Sequence, residues 1–310
     1  MIGLGHRAAG FLVCVFAAIC IDAQPVEPHC GEEGVWIQML GSGGAELDDR
    51  RSAASYLIWL DARAVLLVDP GPGSSLRFDE AGAEFADLDA IVFTNLLAER
   101  TADFPGFVAG SFNAERVRPL TVLGPDGDEA YPSTREFVER LIGPGGAYAH
   151  LAGYLSFRSP GGYKINTRNV PAMGQRRWAG FGTKNLSLSA VPVHHGDVPS
   201  LAWRAEVAGY SLVFTGNFNN RNDIVADFAR DADALVIHLA IPEFARGAVR
   251  ERFVRPSQIG RIASRANVGS VYLGHRTTRT LGRESASRDA LTEHYTGPLV
   301  FADELECWGL

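Results

Sequence analysis

Apolar residues in this chain recur in short runs bounded by Gly, Asp and Pro, the spacing of strands rather than of long helices. Residues 35–40, 55–60 and 64–68 are rich in β-branched and aromatic side chains and predict three early strands. Gly41-Ser42-Gly43-Gly44 follows the first run; without the Lys-Ser/Thr of a phosphate-binding loop it reads as a tight turn. Asp69-Pro70-Gly71-Pro72-Gly73 ends the third run sharply. A helix is expected at 75–82, an apolar strand at 89–94 and another strand at 120–123. Ser133-Thr134-Arg135-Glu136 offers hydroxyl caps and an early acid before the stripe Phe137, Val138, Leu141, and the glycines of 143–146 stop that helix. Residues 150–183 show little periodicity and predict strands with an excursion near the mouth of a site. Strands follow at 186–193, 202–207, 211–215, 234–238 and 270–273, with helices at 223–230 and 257–265. Strand groups interspersed with helices in both halves predict two sheets packed face to face with helices outside, an αβ/βα four-layer sandwich of the α/β class.

The 310 residues, 46% apolar and 21% charged, supply enough material for a sizeable core. A formal charge of −7 opposes phosphate backbones, so no nucleic acid is expected as partner. His6 and Arg7, the apolar run 8–20 and the small-residue site at 21–23 before Gln24 read as an export signal. The run is too short to span a bilayer. Acylation of Cys20 is a weaker alternative, because Ile19 is bulky where a small residue is wanted, and a retained apolar helix is the other. The expected organisation is a signal peptide at 1–23 and one domain at 24–310, secreted or periplasmic, with no membrane span in the mature chain. Removing the leader discards Cys14 and Cys20 and leaves Cys30 and Cys307. An oxidising compartment favours their pairing, which would stabilise by about 3–5 kcal/mol; two unrelated thiols are the alternative.

The chemistry centres on Phe93-Thr94-Asn95-Leu96-Leu97-Ala98-Glu99-Arg100. Around it stand Leu40-Gly41-Ser42-Gly43-Gly44, Leu67-Val68-Asp69-Pro70-Gly71, Val193-His194-His195-Gly196, Phe214-Thr215-Gly216-Asn217, Val236-Ile237-His238 and Leu273-Gly274-His275-Arg276. In order and spacing this set resembles the metallo-β-lactamase superfamily, in a secreted branch similar to ribonuclease Z and arylsulfatase-like hydrolases. The resemblance implies the metallo-β-lactamase fold and two zinc ions that activate a water for hydrolysis. In the family the loop reads Thr-His-x-His-x-Asp-His. By position the first metal would need Asn95, Leu97 and His195, the second Glu99, Arg100 and His275, and Asn217 stands where a bridging aspartate is expected.

Those residue types do not suit the metals. Leu97 has no lone pair, Asn95 offers only a neutral amide oxygen, and Arg100 cannot deprotonate. The degenerate positions are thus Asn95, Leu97, Glu99, Arg100, His195, Asn217 and His275, and no dinuclear cofactor is expected. Only His195, His275 and Glu99 remain as donors, for a residual single Zn or Mn. The Arg100 guanidinium is expected in part of the vacated space, paired with Glu99 or another nearby acid and bonded toward Asn217; the alternative is that it points to solvent. His195 and His275 are either working groups or relics. His238 is either a proton-transfer residue, the one catalytic candidate, or a buried structural histidine. His194 is a neighbour of the site, and His29 and His150 carry no signal. Arg246, Arg250, Arg252 and Arg255 form either an anion-recognising cluster or a solvated helix face. Trp178 and Phe181, among Arg176, Arg177 and Lys184, line a lid or cover the core. The leading expectation is a pseudoenzyme that keeps a cleft for a small or anionic ligand. A hydrolase of esters, lactones or phosphodiesters with a reduced site, and a non-catalytic interaction protein, are the alternatives.

Overall fold

A computed structural model of the chain describes residue 1, residues 30–156 and residues 161–310. The expected signal peptide, with Cys14 and Cys20, and His29 lie outside the described residues. The first sheet is built from β1 (Val35–Gly41), β2 (Ser55–Leu60), β3 (Arg63–Val68), β4 (Ala90–Val92), β5 (Leu120–Pro125) and β6 (Ile165–Val170). The second takes β7 (Trp178–Gly182), β8 (Leu186–His195), β9 (Val198–Val207), β10 (Tyr210–Phe214), β11 (Ala234–His238), β12 (Ser270–Gly274) and β13 (Leu299–Phe301). The last strand, β14 (Cys307–Gly309), returns to the first sheet, giving orders β14-β1-β2-β3-β4-β5-β6 and β13-β12-β11-β10-β9-β8-β7. In each sheet an antiparallel group joins a parallel one: β3 to β6 run parallel, as do β10 to β13.

Side-chain alternation explains why these runs are almost wholly apolar. Successive residues point to opposite faces, and both faces here are covered. On β2, Tyr56 and Ile58 enter the core between the sheets, while Leu57 and Trp59 face the outer helices. On β11, Ala234 and Val236 face the inter-sheet core and Leu235 and Ile237 the other helical layer. The first outer layer includes α1 (Ser74–Glu80), α2 (Ala98–Thr101), α3 (Phe104–Gly110) and α4 (Thr134–Ile142); the second has α5 (Val225–Phe228), α6 (Pro256–Ala266) and α7 (Glu284–Thr292). This is the expected four-layer sandwich. Trp203 ties its halves together: fully buried, it donates from Nε1 to the Phe93 carbonyl at 2.9 Å across the sheets.

Ser133 caps α4 reciprocally with Glu136, as its sequence predicts. Three details differ from the sequence reading. The helix expected at 223–230 is a single turn, α5, and the strand expected from 202 already begins at Val198. Residues 98–110, where no helix is expected from sequence, fold as α2 and α3. The stretch 150–183 supplies an edge strand to each sheet, and Trp178 and Phe181 pack against the inter-sheet core rather than forming a lid. Cys30 and Cys307 form a disulfide with Cα atoms 5.7 Å apart, linking positions 277 residues apart in sequence. Among the described residues no helix is long and apolar enough to cross a membrane.

Candidate functional site

The carboxyl ends of the strands converge on one crest, the usual place for a site in sheets of this kind. Asp69 follows β3, Thr94 and Asn95 follow β4, and Glu99 and Arg100 sit on the short α2. From the second sheet come His195 at the end of β8, Asn217 after β10, His238 at the end of β11 and His275 after β12. Asp69 and His275 adopt left-handed backbone conformations, φ 53° and 46°, that turn the chain abruptly at the strand ends.

Arg100 is the centre of this cluster and is fully buried. Its Nη2 donates to His275 Nδ1 and lies 3.2 Å from Glu99 Oε1. Its Nε is 3.8 Å from Asp69 Oδ2, close enough for charge attraction but too far for a hydrogen bond. Among the described residues, Nε and Nη1 have no hydrogen-bond partner. Asp69 is instead held by Thr94, whose backbone N–H and Oγ1 donate to its two oxygens at 2.7 and 2.6 Å. The expected bond from Arg100 to Asn217 is not made directly. Asn217 Nδ2 donates to Glu99 Oε1 at 2.9 Å, so Glu99 joins the two.

Donor and acceptor chemistry sets the histidine tautomers. Asn217 gives its amide N–H to Glu99, so its Oδ1 must accept from His238 Nδ1–H at 2.7 Å. His238 Nε2 is then the acceptor for the Tyr56 hydroxyl at 2.9 Å. A directed chain runs from Tyr56 through His238 and Asn217 to the Glu99 carboxylate. His275 Nδ1 accepts from Arg100, which puts the proton on Nε2, beside Gly44. His195 Nδ1 donates to the Arg252 carbonyl at 2.8 Å. The Phe253 ring packs against both His195 and His275, with centroids 5.4 and 5.9 Å away.

Electrostatics follow from burial. Desolvation drives the His238 and His275 pKa values well below the ordinary 6.5, and the Arg100 charge adds to it. His195 is lowered for the same leading reason, despite the Arg252 carbonyl. Burial pushes Asp69 up to about 6 against the opposing pull of Arg100 and Thr94, and raises Tyr56. The three histidines are therefore neutral acceptors and donors at neutral pH, and the guanidinium is the resident cation.

These residues do not fit a dinuclear metal centre. A guanidinium occupies Nδ1 of His275, Asn95 Oδ1 is taken by the Leu97 N–H at 3.0 Å, and Leu97 brings no donor. Both ring nitrogens of His238 are engaged, Nδ1 by Asn217 Oδ1 and Nε2 by the Tyr56 hydroxyl. Among the described residues, no three His, Cys, Asp or Glu side chains are grouped so as to hold a metal ion. Of the reduced set, His275 and Glu99 both contact Arg100, whose charge opposes a cation there, while His195 is held by the Arg252 carbonyl and the Phe253 ring.

The remaining candidates separate cleanly. His194 contacts Asn219 and Arg221 at the surface, beside a cavity of about 390 Å³ that His195, Met173, Asp197 and Asn222 also line. His150 is exposed. Arg246, Arg250 and Arg252 lie exposed on and around a 3-10 turn, while Arg255 precedes α6 and pairs with Glu243 at 3.7 Å, so the four do not share one helix face. Tyr56 and Phe253 were not singled out by sequence, because an aromatic in an apolar strand or a loop carries no local mark of its site. Asp69 was legible only as part of its Asp-Pro-Gly turn.

No protein-family model matches the chain. Ribonuclease Z of Clostridium acetobutylicum is 34% identical over 91 residues, and the match spans only 29% of this chain and 29% of that relative's length. Ribonuclease Z of Mycobacterium bovis is 26% identical over 283 residues, covering 87% of this chain and 96% of the relative. Among solved structures, the metallo-beta-lactamase fold protein YhfI from Bacillus subtilis superposes with a TM-score of 0.68 at 16% identity, over 88% of this chain and 98% of that one. Human tRNase Z, short form, gives 0.70 at 14% identity with the same coverage. At such identities the structural likeness is one of fold.

Proposed function

The chain belongs to the metallo-β-lactamase superfamily, and from that premise we propose that it is a pseudoenzyme in which an arginine-centred hydrogen-bond network replaces the paired zinc ions. The observation that carries this reading is the fully buried Arg100 guanidinium, bonded to His275 Nδ1 and paired with Glu99. A cation fixed at that point repels a dication and consumes the imidazole lone pair a metal would use. The ribonuclease activity named for the relatives is not carried over, and RNA is not the ligand of this reading. What the scaffold keeps is a cleft beside His195 of a size suited to a small molecule or anion. The protein acts outside the cytoplasm after loss of residues 1–23, a placement the Cys30–Cys307 bond supports.

The test is metal loading followed by an activity screen. Purified chain, incubated with zinc or manganese and desalted, is assayed by elemental analysis and then with ester, lactone and phosphodiester substrates. The reading expects no stoichiometric ion and no metal-dependent turnover. One tightly bound ion with turnover would replace it with a mononuclear hydrolase.

A further inference from the structure

We propose that the Cys30–Cys307 disulfide operates a reduction-sensitive latch whose moving part is the C-terminal turn 302–306 and whose target is His275. This inference stands on contacts at the sheet edge, and it holds whether or not the centre is catalytic.

The latch begins with β14, a three-residue strand at the open edge of the first sheet that, among the described residues, pairs only with β1. So short an edge strand contributes few ladder bonds, and the disulfide tethers its first residue. Just before it, Leu305 N–H donates to the Met39 carbonyl at 2.7 Å and Met39 N–H returns to the Glu306 carbonyl at 3.0 Å. Gln38 Nε2 also donates to the Leu305 carbonyl. These bonds seat the turn against β1 and present its two acids to the crest.

Asp303 and Glu304 then clasp two loops together. Asp303 pairs with Arg276 and with Arg51. Glu304 accepts from the Ser52 N–H and pairs with Arg77 at 2.7 Å. Arg276, nearly buried, also donates to the Ala302 carbonyl at 3.1 Å and from its own N–H to the Ser42 carbonyl at 2.7 Å. Arg51 reaches Ser42 Oγ at 2.6 Å. One clasped loop therefore carries Ser42, Gly44, Arg51 and Ser52; the other carries His275 and Arg276. Gly44 lies against His275 Nε2, where an added Cβ would approach to 3.2 Å. His275 itself is in a left-handed backbone conformation, and its neighbour Arg276 is anchored by bonds to Ser42, Ala302, Asp303 and Glu284.

Reduction by a dithiol cleaves the sulfur–sulfur bond. Two electrons and two protons convert Cys30 and Cys307 to thiols while the dithiol becomes a disulfide. The edge strand then frays, the turn leaves with its two carboxylates, and Arg276 loses Asp303. Freed of its clasp, the 42–52 loop uncovers His275, and the His275–Arg100 contact opens. The latch is a local unfolding event confined to a short edge strand of the sandwich.

The experiment compares oxidised chain with chain reduced by dithiothreitol under native conditions, with free thiols counted. Diethylpyrocarbonate labelling, read by peptide mass spectrometry, reports His275, with exposed His150 as the internal control. The latch predicts His275 labelling faster by about tenfold on reduction, with His150 unchanged, as expected for an opened segment. Full thiol release with His275 still protected overturns it. If reduction instead unfolds the whole chain by circular dichroism, the double variant Asp303→Ala, Glu304→Ala with its disulfide intact decides. Its folded form must label His275 at the faster rate, and protection there also overturns the proposal.

Discussion

The two sheets bring unequal halves to the crest. The second sheet keeps the histidines that the superfamily resemblance calls for, His195 and His275, along with His238. The first contributes Asn95, Leu97, Glu99 and Arg100, which lack metal-binding chemistry save for one carboxylate. The difference teaches what the surviving histidines are for. His275 serves as acceptor to a guanidinium, His195 as donor to a backbone carbonyl, and His238 as a link between Tyr56 and Asn217. Retained imidazoles here record a hydrogen-bond role, so their presence alone says nothing of zinc.

Substitutions on the two sides sharpen that comparison. The largest effect is expected at Arg100→Ala, which strips the buried Asp69 and the partly buried Glu99 of their countercharge. Unfolding free energy should fall by about 3–5 kcal/mol in urea titration, the range for breaking a buried ion pair from one side. On the opposite side, His238→Ala leaves the Tyr56 hydroxyl and Asn217 Oδ1 without a partner, and a loss of about 2–3 kcal/mol is expected by the same assay. Acidification should come next. The folded cluster refuses protons that His195, His238 and His275 accept once unfolded, so their stabilisation is full above about pH 6.5 and is lost as pH falls below it. Asp69 works in the opposite direction, since its raised pKa favours the folded state at low pH and that gain is lost as pH rises through about 6. Three groups outweigh one, so thermal scans from pH 7 to 5 should show a falling Tm, and His275→Gln should flatten the slope. The smallest effect is expected at Leu97→His. This half-exposed position should change stability by under about 0.5 kcal/mol and recruit no zinc while Arg100 remains. Zinc binding by that single variant, read by elemental analysis, would show that the first-sheet loop was one residue short of a site.

Much of the sandwich was legible because strands covered on both faces produce apolar runs that few other structures require. Ser55–Leu60 and Ala234–His238 were read to the residue for that reason. The weakly patterned elements were not. In α7 only Ser287 and Leu291 are buried, and β13 and β14 are three residues each, so neither period is long enough to register. At the site, the superfamily resemblance pointed to the positions a metal would need, and the unsuitability of Leu97 and Arg100 follows from their side chains alone. The connectivity could not be read. That Glu99 stands between Arg100 and Asn217, that Phe253 packs over two histidines, and that Tyr56 ends the chain all depend on where separate strands deliver their side chains.

The central claim is that Arg100 holds the place of the metal. The most direct measurement is a crystal structure of the chain grown in excess zinc, with anomalous diffraction collected at the zinc edge. The account predicts the guanidinium on His275 Nδ1 and no anomalous peak among His195, His275 and Glu99. Two ordered zinc ions there, with Arg100 swung out to solvent, would contradict it.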